Sequence, residues 1–146
     1  MTTLLTAETA VDEALRVLMP GGVLLVDFGG VVKAPWHGDM VRIAARHDVT
    51  AAARPGATDP DEVTGHLAGR ATHRALSAVS FAVTRTLAED LDNWEQQIFS
   101  WSWGYLPEQM RAVCGHIRRW AMEQAIGLDQ PATLQRTVRW LAYDPV

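Results

Sequence analysis

The chain is poor in cysteine, in lysine and in long apolar runs, and each shortage removes a class of protein. Cys114 is the single cysteine among 146 residues, so no disulfide can close within the chain. Lys33 is the single lysine among 13 basic residues, and the net charge is −4. With a pI near 5.7 and no basic stripe, the sequence does not read as a nucleic-acid binder. No apolar run approaches the ~18 residues that a membrane-spanning helix needs. The opening "MTTLLTAETAVDEAL" has neither a basic flank nor a long apolar core, which is not the pattern of a signal peptide. Together with the lone thiol, this predicts a cytoplasmic protein.

Hydrophobic residues make up 48% and charged residues 21%, a balance that folds rather than staying disordered. No repeat, low-complexity tract or long linker divides the sequence, so a single domain over residues 1–146 is predicted. "AETAVDEALRVLM" reads as a helix capped by Thr6, with Val11, Leu15 and Leu18 on one face and Pro20, Gly21 and Gly22 as its stop. "VLLVDF" is an apolar run of strand length bounded by glycines, the pattern of a buried strand, and "GVVKAP" is its continuation or a short partner.

From His37 the pattern turns helical, with Met40, Ile43 and Ala44 inward. Asp59 before Pro60 opens a further helix, expected to run to about Leu91 with a break near Ser77 to Ser80. "DLDNWEQQIFSWSW" starts again from an acidic cap. Pro107 then opens an amphipathic helix ended by Gly127 at its C′ position, and Asp129 with Pro131 caps a last helix, "PATLQRTVRWLA". The expected fold is therefore mostly α, with five or six helices and a minor β element near residues 23–34.

Two local resemblances bear on that β element. "VLLVDFGGVV", residues 23–32, resembles the first motif of the haloacid-dehalogenase-like hydrolases. The resemblance implies a nucleophilic Asp27 that forms a covalent aspartyl intermediate. Gly29 stands where phosphatases of that family carry a second acid. No adjacent Asp-Asp pair and no strand pattern follow residue 36, so the resemblance reads as a relic without intact chemistry. Residues 7–49, through "GGVLLVDFGGV" and "HGDMVRIAARHDV", resemble a stretch of STAS-like modules. Asp27, Gly30, Val31 and Asp39 match that pattern, which implies a regulatory or protein-interaction role. Independently of either family, an acid followed by glycines is also a simple way to turn a strand back to solvent.

Glu62, His66, Arg70 and His73 follow one another at spacings of four, four and three, which on a helix would put them on one face. Glu62 could orient His66 as a base. A metal would need further ligands from His116, His47 or His37, and Arg70 in the row repels a cation, so no metal or cofactor is expected. Cys114 and His116 are two apart and cannot act as a nucleophile-base pair on one helix.

Aromatic residues are the most unusual feature. Five of the six tryptophans fall at 94, 101, 103, 120 and 140, and "FSWSWGYLP" has four aromatics in nine residues. That density suggests rings that touch something other than the chain's own core. The first functional expectation is a site for an apolar or aromatic small molecule, lined by Trp101, Trp103, Tyr105 and Trp120, with Arg70 supplying a polar group. If the chain is an enzyme, His66, His73 and His116 are its acid-base candidates. The alternative is a non-catalytic regulatory module that uses the aromatic surface to bind a second copy or another protein. Neither reading involves nucleic acid or a membrane.

Overall fold

A computed structural model describes residues 6–27, 32–51 and 60–146. The elements are α1 (Ala7–Val17), β1 (Leu24–Asp27), α2 (His37–Arg46), α3 (Pro60–His66), β2 (Ala71–Ala75), β3 (Val79–Arg85) and α4 (Leu87–Glu95). After a 3-10 turn (Ser100–Gly104) come α5 (Pro107–Glu123), β4 (Ala132–Val138) and β5 (Trp140–Pro145). The fold thus mixes α and β, with five α-helices and five strands in two antiparallel sheets among the described residues. The expectation of a mostly helical chain is overturned.

The errors share a cause. The helix expected from the Asp59–Pro60 start does not extend over Ala71 to Arg85, where Val79, Phe81 and Val83 alternate with Ser80, Ala82 and Thr84. That period of two, with β-branched and aromatic side chains, is strand chemistry. "PATLQRTVRWLA" likewise forms β4 and the start of β5, and β4 alternates in burial from Ala132 to Arg136. Among the described residues four strands follow residue 36, which removes the missing-strand argument against the hydrolase motif; the absent Asp-Asp pair remains. The helix expected to start from an acid near residue 90 begins instead at Leu87, under a full capping box of Thr86 and Glu89. Asp59 and residues 28–31 lie outside the described residues.

The described residues fall into two compact units. The first draws on residues 1–31, 55–81 and 136–146. Its three-stranded sheet has the order β1-β5-β2, with Leu24 opposite Tyr143 and Leu25 opposite Ala142. One face of that sheet carries Leu24, Val26, Leu141 and Tyr143 against Val63 and Leu67 of the α3 region and Val11 and Leu15 of α1. Tyr143 is fully buried, and its hydroxyl is 3.0 Å from Thr64 Oγ1. Leu25 and Trp140 fall on the other face and are exposed. β1 is therefore half-buried at a sheet edge, not enclosed on both faces as its apolar run suggests.

The second unit draws on residues 32–54 and 82–135 and packs α2, α4 and α5 around Met40, Leu87, Leu91, Trp94, Met110, Val113 and Ile117. One buried charge is built into it. The Asp90 carboxylate accepts hydrogen bonds from Trp36 Nε1 at 2.7 Å and from the Arg85 guanidinium, which also donates to the Val32 carbonyl.

All three helices of this unit end alike. Asp48, Gln97 and Ala125 take positive φ after α2, α4 and α5, and the following residue donates back to the helix: Val49 to Ala44, Ile98 to Asn93, Ile126 to Ala121. These are Schellman turns without glycine. The C′ position of α5 is thus Ala125, and the expectation that Gly127 fills it is corrected. A left-handed Ala costs about 1 kcal/mol relative to Gly. Ala125→Gly should therefore raise Tm by roughly 3 °C in a thermal melt, with no change in the far-ultraviolet circular dichroism.

Candidate functional site

α5 has two faces, and its sequence spacing explains both. Pro107 at the first helical position starts it, and Met110, Val113, Cys114, Ile117 and Ala121 recur at the three- and four-residue intervals that make one apolar stripe. That stripe is buried in the second unit. A different row, Gly115, Arg118, Arg119 and Met122, follows the same intervals and is turned away from the core. Beyond Ala125 the chain doubles back, and the Leu128 carbonyl accepts from Ala88 N–H at the start of α4. Ile126 and Leu128 then stand beside the outward row of α5. Together these six residues line a groove of about 460 Å³, within the size range of small-molecule sites.

The groove is mainly apolar, with two cations, Arg118 and Arg119, among its lining residues. Arg118 Nη1 donates to Glu95 Oε1 at 2.5 Å, which holds the guanidinium in place and raises its proton affinity. Arg119 has no ion-pair or hydrogen-bond partner among the described residues. Met122 is 77% exposed. Gly115 sits at the middle of the 17-residue helix, is exposed, and has nothing within 4 Å of where a Cβ would stand. Glycine there costs the helix about 1 kcal/mol against alanine, and no neighbouring atom of the chain requires it.

The residues proposed from sequence are distributed differently. His66 and Arg70 do come together, though not on one helix face, because α3 ends at His66. Both approach Asp12 of α1: His66 Nε2 at 2.8 Å and Arg70 Nη1 at 2.7 Å share its Oδ1. Arg70 first, and His66 second, hold the Asp12 carboxyl below the ordinary carboxylate range. Glu62 is exposed on α3, and His73 lies on β2 opposite Tyr143, exposed, with ring centroids 6.1 Å apart. Among the described residues, no three His, Cys, Asp or Glu side chains gather in a way that could hold a metal ion.

The aromatic set serves the second unit's core more than a cavity. Trp101 meets Trp94 edge-on at 4.9 Å, and Trp120 and Tyr105 also pack against the core. The Tyr105 hydroxyl accepts from Thr50 N–H at 2.9 Å. Trp103 is 60% exposed, yet its Nε1 donates to the Gln97 carbonyl, so the indole is tied down. Gln97 in turn donates its side-chain amide to the Ser102 and Tyr105 carbonyls. None of the four rings expected to line a pocket, Trp101, Trp103, Tyr105 and Trp120, lines the α5 groove. Sequence reasoning missed the groove because it scored aromatics; the available signal was a glycine at mid-helix followed by two arginines and a methionine on one outward row.

His116 of α5 stacks on His47 at the end of α2, with centroids 3.7 Å apart and planes within 6°. Burial, then His47, then Arg119 depress its proton affinity. The unfolded chain therefore takes up this proton more readily than the native one, and stability falls as pH drops through the ordinary histidine range near 6.5. Urea midpoints at pH 7.5 and 5.5 should show that loss, and His116→Gln should reduce it.

Cys114 is buried, with its thiol 3.7 Å from the Leu91 carbonyl. Burial pushes the thiol up to about 12, and the Glu95 charge adds to the shift. Native protein should resist iodoacetamide at pH 8 and react fully in denaturant. Rapid native alkylation would show that this core opens.

No family model matches the sequence, and no curated protein matches it significantly. Among the described residues no helix is long and apolar enough to cross a membrane.

Proposed function

We propose that this chain is a small-molecule-binding protein and that the α5 groove takes an organic acid with an apolar or aromatic body. One observation carries the reading: a mainly apolar groove is lined by Gly115, Met122, Ile126 and Leu128 together with Arg118 and Arg119. An apolar floor gains from desolvating a hydrocarbon body, and a guanidinium free of a carboxylate partner gains from meeting one. The proposal keeps the class of ligand that the sequence suggested and moves it from the tryptophans to α5. It is a reading of binding, not turnover. Guanidiniums neither give nor take a proton at ordinary pH, so the groove's own polar groups offer no acid-base chemistry.

Calorimetric titration of the 146-residue chain with 1-naphthoate and with uncharged 1-naphthylmethanol tests this. The acid should bind more tightly, and Arg119→Gln should weaken the acid by roughly tenfold while leaving the alcohol unchanged. Equal binding of acid and alcohol, or no binding of either, overturns the proposal.

A further inference from the structure

Resting on that reading, we infer that Gly115 is the specificity-determining residue of the groove and that the ligand's body is a flat aromatic ring system lying against the bare turn of α5. A helix interior disfavours glycine because it leaves the unfolded chain with more freedom to lose. Glycine persists in helices where something must come closer to the backbone than a Cβ allows. At Gly115 no side chain and no other element of the protein lies within 4 Å of the Cβ position, so its internal packing does not call for glycine, and the close approach falls to a ligand. The space opens into the groove that Gly115 itself lines.

The neighbours on the same row favour a planar occupant over an alkyl chain. Arg118 and Arg119 stand three and four residues along, and a guanidinium plane stacks on an aromatic face. Arg118 is already paired with Glu95, so its charge is answered while its plane stays fixed by a 2.5 Å bond. Arg119 is left to meet the acid group. Met122, one further turn along, is exposed at the groove with a polarisable sulfur of the kind that contacts ring edges. Bare peptide, two guanidiniums and a thioether make a surface matched to a π-system. An aliphatic acid would use only the apolar part of it.

The test is a series at one position, Gly115→Ala, Gly115→Val and Gly115→Leu, titrated with 1-naphthoate and with decanoate. Wild type should prefer naphthoate. The substitutions should weaken naphthoate progressively, about tenfold or more at Leu, and change decanoate by less than about threefold. Gly115→Ala should also raise Tm by about 3 °C, which shows that lost binding is not lost folding. If wild type binds neither acid, the groove is not an acid site and the function proposal itself fails. If wild type binds naphthoate and Gly115→Leu binds it equally, the site stands and the role of Gly115 is refuted. If wild type sediments as a dimer that Gly115→Leu converts to monomer, the bare turn seats a second copy of the chain, and the ligand inference is overturned.

Discussion

The buried carboxylate of Asp90 is the constraint that organises the second unit. An ionised acid in an apolar interior is tolerable only when its lone pairs are met, and here an indole N–H and a guanidinium meet them. Leaving such a buried charge without its partner costs about 3–5 kcal/mol, so Trp36, Arg85 and α4 are held together as a set. α4 then places the groove. Its Ala88 N–H anchors the Leu128 carbonyl, its Leu91 carbonyl faces the Cys114 thiol, and its Glu95 holds Arg118. Leu128 and Arg118 are thus tied to the helix that Asp90 secures, while Ile126 is held by the turn that ends α5.

The first unit is held by different means. Its central strand β5 pairs with both β1 and β2, and Tyr143 fills the space beneath them with no exposed surface. Asp12 ties α1 to the α3 region through His66 and Arg70 at the surface. Ion pairs this exposed contribute little to stability. They join α1 to the α3 region, while the unit's stability comes from Val63, Leu67 and Tyr143 with their half-buried neighbours.

Glycine is used here in an inverted way. Three Schellman turns, where a left-handed residue favours glycine, carry Asp48, Gln97 and Ala125. At Gln97 the reason is visible, because its side chain bonds two carbonyls of the aromatic turn and its own carbonyl takes the Trp103 indole. Gly115 sits where helix geometry disfavours glycine and the chain's own packing makes no use of it. A residue that costs stability and serves no internal contact is a reason to look outward from the protein.

Some elements were written in local chemistry. The Thr6 cap, the Pro107 start and the inward stripes of α2 and α5 follow from residue type and spacing alone, and each is present. β1 was also legible, though not its half-exposed edge position. β2 to β5 were not read as strands, although Val79, Phe81 and Val83 of β3 carry a period of two; β2 and β5 are fixed by cross-strand partners about seventy residues apart, which local pattern does not show. The same holds for the site. His66 and Arg70 were legible as neighbours, but Asp12, more than fifty residues away, is what joins them. The second wall of the groove was not legible in the sequence, because Ile126 and Leu128 reach it only through a turn that reverses the chain at Ala125. The amino-acid order by itself determined which helices start where and which of their faces are apolar, since caps and periodicity act within a few residues. Only the tertiary structure decided which segments became strands and which outward row of α5 acquired a second wall, because both depend on contacts between residues that the order alone does not bring together.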